Sequence, residues 1–367
     1  MNSKQYVLQA CRFERPDRIP VDYLAHPEAD AAFRRRLDVT SEDELLDAIG
    51  ADIYYLSTRD FSQNESAVKC YRGDRIRLDD NRRTCPLGIV FTRGAYGSKF
   101  SVDEAVFAPL AGCTGKKDIL AHPLPKAADF DFSPLIEEAE RHADRAVIGG
   151  LWSGIMGDSF RMYGFERFLT DIAMEPEIIH TLIDRMTDMY LELNDKYFQQ
   201  LKGKMDIWFF GNDFGSQNGL LIGVDMWREF FFDNIQKLTA LAHSYGLKTM
   251  MHSCGAITPL IDGLIEAGVD ILDPIQVTAS GMEPASLSKD FGGRMVFHGG
   301  IDTQRVLPFT DPEEVRRHVV ETISLLDNNG GYIFAPSQIL DKDIPADNMA
   351  AMYEAVTAYN AERFSKS

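Results

Sequence analysis

The segment Lys248–Ile257, KTMMHSCGAI, combines a short apolar strand, a polar tip and the start of a helix. Residues 252–255 (HSCG) follow the apolar run, and a helical pattern begins near Ile257. A strand that ends in polar residues and continues as a helix is typical of α/β enzymes, which carry reactive side chains at such points. The pair His252 and Cys254 therefore marks a candidate site, although a loop histidine beside a structural thiol explains the pair alone equally well.

The same unit of strand, polar tip and helix recurs along the chain. Eight strands are predicted, at Arg18–Tyr23, Asp52–Leu56, Ala146–Leu151, Asp206–Phe210, Lys248–Met251, Val269–Leu272, Met295–Phe297 and Gly331–Ala335. Strands that alternate with helices pair in parallel through right-handed crossovers. We therefore predict an α/β fold, a single (β/α)8 TIM-type barrel over residues 1–367, and the alternative is a doubly wound open sheet.

Two segments fall outside the repeat. Lys4–Phe13 predicts an N-terminal helix, and residues from about 57 to 132 form an insertion. Within the insertion, turn residues and alternating apolar positions indicate hairpins rather than helices. No GxGxxG or GxxxxGK follows any predicted strand, so the sequence gives no support for a Rossmann or P-loop nucleotide site.

Composition restricts the partners and the compartment. The chain has 367 residues, is 45% hydrophobic and carries a net charge of −18, which argues against a nucleic-acid or anionic-membrane partner. Its five cysteines are irregularly spaced and odd in number, so no disulfide framework is expected. The N-terminal residues lack an apolar signal core, and no apolar run approaches the length of a membrane span. We expect a cytoplasmic protein.

Polar residues follow most of the predicted strands. In a barrel the carboxyl ends of the strands share one mouth. That mouth would collect Asp22 or His26, Trp152, Asp213, His252 with Cys254, Asp273, His298 with Asp302, and Ser337 with Gln338. Each alone is explained by a cap, a turn or a buried histidine. Together they favour a functional site, because a barrel needs no polar cluster at this end for stability.

His252 and Cys254 are a candidate zinc site, since neutral imidazole and thiolate are both good zinc ligands. The last predicted strand is followed by Ser337 and Gln338, neither of which is a Cys or His. The third ligand is therefore expected to be Asp213 or Asp302, and the ion is expected to be weakly held.

Five stretches carry a resemblance to a known family: residues 15–21 (RPDRIPV), 211–217 (GNDFGSQ), 252–255 (HSCG), 268–276 (GVDILDPIQ) and 299–304 (GGIDTQ). The chain resembles the uroporphyrinogen decarboxylase superfamily over most of its length. The resemblance implies a (β/α)8 barrel and one of two chemistries. One is decarboxylation of the acetate arms of uroporphyrinogen, and the other is methyl transfer with a corrinoid protein and a thiol or tetrahydrofolate as acceptor.

Departures from the family pattern favour methyl transfer. The heme-pathway decarboxylases carry a Met-Arg-Gln-Ala-Gly-Arg segment where this chain reads YLAHPE at 23–28. Bidentate arginine is the group that suits a polycarboxylate substrate. The His-x-Cys pair instead resembles the methyltransferase branch, in which a last-strand cysteine completes a zinc site; here Gln338 stands in that place.

The resemblance therefore implies an enzyme that moves a methyl group between a corrinoid protein and a small acceptor, with zinc as a further cofactor. The predicted catalytic residues are Asp213, His252 and Asp302, and the predicted substrate contacts are Trp152, Gln217, Asp273, Gln276, His298, Gln304 and Gln338. Two alternatives stay open. One is a porphyrinogen decarboxylase that uses Arg12, Arg15 and Arg18 as its clamp, and the other is a binding protein without catalysis. A homodimer is compatible with the sequence.

Overall fold

The computed structural model describes residues 2–56, 70–73, 77–79, 82–96 and 100–364. The strands within these residues are β1 (Ile53–Tyr55), β2 (Arg77–Asp79), β3 (Arg82–Thr84), β4 (Val90–Tyr96), β5 (Phe100–Phe107), β6 (Ala146–Gly149), β7 (Ile207–Gly211), β8 (Lys248–His252), β9 (Ile271–Ile275), β10 (Val296–Ile301) and β11 (Tyr332–Pro336). Seven of them form a parallel sheet in the order β1-β6-β7-β8-β9-β10-β11. A sheet whose strands follow chain order has no reversal point, so the doubly wound alternative is wrong.

Helices connect the strands of this sheet. They span Ser3–Ala10, Pro27–Leu37, Glu42–Ile49, Lys116–Ala121, Ile136–Arg141, Ile155–Tyr163, Phe165–Met174, Pro176–Gln200, Val224–Trp227, Asp233–Ser244, Ile261–Glu266, Pro284–Phe291, Pro312–Leu326 and Ala346–Phe364. The N-terminal helix ends at Ala10, earlier than predicted, because Phe13 takes a positive φ of 57°. No helix of the described residues is long and apolar enough to cross a membrane.

The parallel sheet is curled around an apolar interior. Each of its strands contributes at least one residue to a single buried cluster, which contains Ile53, Ile148, Ile207, Met250, Ile271, Val296 and Ile333. A flat sheet would keep its first and last strands far apart, so a shared cluster requires curvature. Val7, Ala10 and Cys11 of the N-terminal helix complete this cluster. Alternate residues, such as Trp208 and Phe210, face the surrounding helices.

The gap between β11 and β1 is occupied by an extended segment instead of the eighth predicted strand. Val21 forms an isolated parallel bridge with Phe334, and the N–H of Asp52 donates to the carbonyl of Val21 at 2.7 Å. A regular ladder fails here because Pro20 has no N–H, and because Val21 donates its N–H to the carboxylate of Asp52. The prediction of a regular strand at Arg18–Tyr23 is therefore wrong, although an extended segment does lie at this place beside β11 and β1.

The insertion contains an antiparallel sheet of four strands, in the order β2-β3-β4-β5. This arrangement confirms the hairpins predicted there. The other parts of the insertion prediction, at 57–69, 74–76, 80–81 and 97–99, lie outside the described residues. Ser41 and Glu44 form a capping box at the start of the helix Glu42–Ile49, in which the Ser41 hydroxyl accepts the N–H of Glu44 at 3.1 Å.

Candidate active site

Three neighbouring strands bring a histidine, an aspartate and a second histidine together at their carboxyl ends. His252 is the last residue of β8 and pairs in register with Asp273 of β9, and His298 lies on β10. All three side chains are buried. Asp22 joins them from the extended segment after Val21. Of the two predicted candidates on that segment, the structure brings Asp22 into the site and leaves His26 exposed before the helix Pro27–Leu37.

These residues form a continuous chain of hydrogen bonds. The Tyr55 hydroxyl donates to Asp22 Oδ2 at 2.7 Å, and His298 Nε2 donates to the same oxygen at 2.9 Å. His298 Nδ1 and His252 Nδ1 donate to the two oxygens of Asp273, each at 2.6 Å. Both nitrogens of His298 therefore face carboxylates, an arrangement that suits an imidazolium ion. Tyr55 was missed by the sequence analysis, because a tyrosine within DIYYL has the character of a core residue.

The charged residues in this series of hydrogen bonds shift one another's pKa values. Burial lowers the pKa of His298, but the hydrogen bonds and charges of Asp22 and Asp273 outweigh burial and raise this pKa to about 9. Burial acts against the charge on Asp273, yet the two histidines hold its pKa well below the usual range. Burial also lowers the pKa of His252, but Cys254 and Asp273 outweigh that effect and raise it well above 6.5.

The outer side of His252 faces a potential metal site. His252 Nε2 lies 3.2 Å from Cys254 Sγ and 3.6 Å from Asp213 Oδ1. The ligand atoms of these three residues all lie within 4.8 Å of one another, the only such group found among the described residues. One imidazole, one thiolate and one carboxylate form a donor set that fits zinc. The Nδ1 bond of His252 to Asp273 is the carboxylate–histidine support common at zinc sites.

Loop packing fixes the positions of Asp213 and Cys254. Asp213 Oδ1 also accepts the N–H of Cys254 at 3.0 Å, which ties the loop after β7 to the loop after β8. Gly215 permits this packing, since a Cβ there would lie 2.6 Å from the carbonyl oxygen of Cys254. Glycine at position 215 thus lets the loop after β7 pack closely against the loop after β8.

Gln338 lies beside the same thiol. Its Nε2 donates to Cys254 Sγ at 3.2 Å, so Gln338, the second residue after β11, does face the His252–Cys254 pair. Trp152 packs against His252, with its ring centroid 5.3 Å from that of His252. The structure thus places Gln338 and Trp152 at the carboxyl end of the sheet, where the sequence analysis predicted them.

The predicted glutamines hold loops together. Gln276 Oε1 accepts the N–H of Gly255, and its Nε2 donates to Gln217 Oε1 at 3.2 Å. Gln304 accepts a hydrogen bond from the Thr278 hydroxyl at 2.7 Å. These contacts connect the loops after four consecutive strands, β7 to β10. A direct role in binding a substrate stays a prediction for all three.

Asp302 is not part of the potential metal site. Its Oδ1 accepts the N–H groups of Gln304 and Arg305 at 2.7 and 2.9 Å, the role of a turn cap. Its role as third zinc ligand is therefore not supported, and Asp213 takes that place. Ser337 is buried and donates its hydroxyl to the carbonyl of Ile275 at 2.9 Å.

Two adjoining pockets open at this end of the sheet. The deeper one, about 20 Å³, is lined by Asp22, Leu24, Tyr55, Phe209, His252, Asp273, Pro274, His298, Ala335, Pro336, Gln338 and Ile339. The outer one, about 390 Å³, is lined by Cys254, Gln276, Thr278, Asp302, Thr303, Gln304, Ser337, Gln338, Ile339, Asp341, Asp343 and Ile344. The two pockets share the lining residues Gln338 and Ile339.

The N-terminal arginines lie at the opposite end of the sheet. Arg18 donates to Asp52, which directly precedes β1, at 2.7 Å. Arg15 lies 4.0 Å from Asp327, which precedes β11, and Arg12 pairs with Glu14. Residues before parallel strands lie at the amino ends, away from the mouth. The predicted arginine clamp is therefore wrong.

A curled parallel sheet with a polar cluster at its carboxyl ends defines a TIM-barrel-like α/β protein. The family model "Uroporphyrinogen decarboxylase (URO-D)" matches residues 135–359, more than half of the chain. The chain therefore belongs to the uroporphyrinogen decarboxylase family, as its motifs predicted.

Individual relatives are distant. The chain is 22% identical over 206 residues to "Uroporphyrinogen decarboxylase" from Coxiella burnetii strains Dugway 5J108-111 and RSA 493 / Nine Mile phase I, which covers 53% of this chain and 52% of each relative. The match thus spans about half the length of these curated relatives. A solved structure, "methyltransferase from Methanosarcina mazei", superposes with a TM-score of 0.68 at 15% identity, covering 98% of this chain and 99% of that one. This likeness shows the fold.

Proposed function

We propose that this protein is a methyltransferase that moves a methyl group between a corrinoid protein and a small acceptor such as a thiol or tetrahydrofolate. The observation that carries the proposal is the group of His252 Nε2, Cys254 Sγ and Asp213 Oδ1, which lies beside an open pocket. The family includes methyl transfer among its chemistries, and the full-length likeness to a methyltransferase fold is consistent with it. We further propose that the segment around Val21 completes a (β/α)8 barrel as its eighth member, supported by its bonds to both neighbours.

Zinc is the metal that this donor set suits best. When bound, zinc would lower the pKa of an acceptor thiol and so favour the nucleophilic thiolate. Asp273 would hold the Nδ1 proton of His252, which leaves Nε2 as the ligand atom. Asp213 would contribute the oxygen ligand while it keeps the Cys254 backbone in place. Trp152 would pack against the His252 ring, and Gln338 would limit access to the thiol of Cys254.

The transfer itself is a displacement at carbon. The methyl group leaves its donor, which keeps the bonding electron pair, and forms a bond to the acceptor heteroatom, whose proton passes to solvent. The chain must therefore hold the acceptor near Cys254 and leave the pocket open to the methyl carrier. The corrinoid protein is the proposed second partner, because a carrier must deliver the methyl group to this mouth.

Decarboxylation of a porphyrinogen is the second candidate, and family membership is the observation in its favour. The pocket chemistry does not suit it. Among the described residues that line the outer pocket there are three aspartates and no arginine, lysine or histidine. A substrate with several carboxylates would meet like charges there.

An assay that offers both reactions separates the candidates. Zinc-loaded protein is incubated with free methylcobalamin and a thiol or tetrahydrofolate, and loss of methylcobalamin absorbance and formation of the methylated acceptor are measured. A parallel reaction contains uroporphyrinogen, with products resolved by chromatography. We expect demethylation of methylcobalamin and unchanged porphyrinogen. Consumption of the porphyrinogen without turnover of any methyl acceptor would overturn the proposal.

Replacing Asp273 with asparagine is expected to weaken zinc binding by roughly 10–100-fold, because an outer carboxylate orients the metal-binding histidine and raises its basicity. The asparagine keeps one acceptor oxygen but loses the charge that both histidines contact. Competition titration against a chelator measures the affinity, and thermal unfolding of the metal-free variant reports folding. Asp262→Asn, at an exposed aspartate paired with Arg294, is the matched control. Equal zinc affinities for wild type and Asp273→Asn would contradict the proposed support.

Replacing Gln338 with cysteine is expected to raise zinc affinity by at least about tenfold. The side chain at this position already contacts Cys254 Sγ, so a second thiolate would complete a Cys2His set with His252. The control is Gln304→Cys, in the same pocket but bonded to Thr278. The same chelator titration compares the three proteins. If Gln338→Cys binds zinc no more tightly than Gln304→Cys does, position 338 does not reach the metal.

A further inference from the structure

Cys254 lies where the methyl donor of the proposed reaction would arrive. The residue is partly exposed, and it lines the outer pocket of about 390 Å³. A thiolate is itself a strong nucleophile, so a metal-bound Cys254 would compete with the acceptor for the methyl group. The product would be a thioether, which lacks the negative charge of the thiolate ligand and would hold zinc poorly. The proposed reaction therefore needs a group that keeps Cys254 unreactive toward the donor.

The side-chain amide of Gln338 is in position to be that group. Its Nε2 lies 3.2 Å from Cys254 Sγ and donates to it. The other end of the amide determines its orientation, because Gln338 Oε1 accepts the N–H of Ile339 at 3.0 Å. Since the oxygen is engaged by a donor, the NH2 group is the end that faces the sulfur. The sulfur of Cys254 thus meets a hydrogen-bond donor.

The backbone on both sides of Gln338 is bonded to neighbouring elements. The N–H of Ser337 donates to the carbonyl of Ile301 at 2.7 Å, and the N–H of Leu340 donates to the carbonyl of Leu24 at 3.0 Å. An amide on a backbone held in this way loses little conformational freedom when it binds the sulfur. The hydrogen bond to Cys254 is therefore part of a preorganised site.

A hydrogen bond to a metal-bound thiolate lowers the reactivity of its sulfur toward carbon. The bond stabilises the negative charge on sulfur, and the sulfur loses this charge as it forms a bond to a methyl group. The stabilisation is therefore larger before the reaction than in the transition state, which raises the barrier to alkylation. The amide of Gln338 contacts Cys254 Sγ, so the effect falls on the protein sulfur and leaves the acceptor fully nucleophilic.

We infer that Gln338 is a positioning residue that protects Cys254 from methylation and so directs the methyl group to the acceptor. This inference rests on the proposed function, because it explains how a site with a cysteine ligand transfers a methyl group to a different atom. Gln338 acts through Cys254 and is neither a metal ligand nor a catalytic residue. The amide also gives a role to the position at which the family resemblance implies a cysteine.

Alkylation with iodomethane tests the inference without a methyl acceptor. Attack by Cys254 Sγ forms the S–CH3 bond and breaks the C–I bond, and iodide leaves with the electron pair. Zinc-loaded protein is treated near neutral pH, and peptide mapping by mass spectrometry follows the modification at Cys254 alone. We expect Gln338→Met to react about tenfold faster than the wild type, since a hydrogen bond to a charged group contributes at least this factor. Methionine is as long as glutamine, so access to the sulfur stays similar.

Cobalt(II) supplies a readout that a change in metal occupancy does not move. In the cobalt-loaded protein, loss of the hydrogen bond raises the energy of the sulfur electrons. We therefore expect the sulfur-to-cobalt charge-transfer band to shift to longer wavelength in Gln338→Met. Gln338→Glu keeps the shape of the side chain but has no N–H, and should shift the band in the same direction. Gln199→Met, at an exposed glutamine bonded to Asp195, is the control and should match the wild type in both measurements.

Equal alkylation rates for the wild type and Gln338→Met would overturn the inference. Faster alkylation with an unshifted cobalt band and a lower zinc content would also overturn it, because a released thiolate would then explain the rate. The methylcobalamin assay is a separate measurement. Protection of Cys254 without methyl transfer would refute only the proposed function, and methyl transfer without protection by Gln338 would refute only this inference.

Discussion

Replacing Cys254 with alanine is expected to lower zinc affinity by about 100-fold or more, since it removes one of three protein ligands outright and outer-shell changes alone reach this size. The remaining donors, His252 Nε2 and Asp213 Oδ1, lie 3.6 Å apart and leave the ion with two protein ligands. Methyl transfer to a thiol should fall with zinc occupancy. Metal analysis after dialysis, together with chelator titration, measures the loss.

The matched control is Cys11→Ala. Cys11 is also a free cysteine, but it lies in the interior cluster, and burial raises the pKa of its thiol to about 12. It is therefore a neutral thiol near pH 7, and its removal should leave the zinc content unchanged. Retention of stoichiometric zinc by Cys254→Ala would mean that the metal, if present, is held elsewhere. Loss of zinc in both variants would indicate that folding, and not ligation, controls metal binding.

The helices that the sequence predicted most accurately carry their own boundary signals. The sequence predicts helices at Pro284–Phe291 and Pro312–Leu326. Both are observed with these limits, and each begins with a proline at the first helical position. The sequence also predicts one regular helix at Met226–Tyr245. The observed helix begins at Val224 and is interrupted by a wider turn at Arg228–Phe232, which side-chain periodicity does not reveal. The helix Ile155–Tyr163 was not predicted at all.

Strand ends were the least predictable feature of the fold. The strand predicted at Val269–Leu272 is observed at Ile271–Ile275, so Asp273 lies inside β9 and not after it. Its position in register beside His252 depends on pairing between strands that are distant in sequence. Local residue preferences carry no information on that register, although they indicated that the two residues share one end of the sheet.

The sequence predicted most of the residues that form the site, but not the hydrogen bonds that join them. Asp213, His252 and Cys254 converge as their positions after β7 and at the end of β8 indicated. Asp302 shows the limit of this reasoning, because a carboxylate at a strand end serves a turn as readily as a reaction. Asp341 and Asp343 were not placed at the outer pocket by the sequence analysis, because they follow the last strand in a loop without a recognisable motif. The series of hydrogen bonds from Tyr55 to His252 could be recognised only from the structure, because it joins residues that are distant in sequence.

The buried hydrogen bonds of His298 with Asp22 and Asp273 should make the stability of the metal-free protein depend on pH above neutrality. The pKa of His298 is raised from 6.5 to about 9 in the folded protein by Asp22 and Asp273, against the effect of burial. A raised folded-state pKa contributes stability that is fully present below about 6.5 and is lost as pH rises through about 9. The shift corresponds to a contribution on the order of 3 kcal/mol to the free energy of unfolding. Above about pH 9, Asp22 and Asp273 face a neutral imidazole.

His298→Gln is therefore expected to be less stable than the wild type near pH 6.5, and the difference should shrink as pH rises through about 9. Glutamine cannot carry the charge that lies between the two carboxylates. Denaturant titrations of chelator-treated proteins across this range measure the difference, with His180→Gln as the control at an exposed histidine beside Glu229. The control should follow the wild-type curve. A difference between wild type and His298→Gln that stays constant over the whole range would show that His298 is not charged in the folded protein, and that the two aspartates are stabilised by other groups.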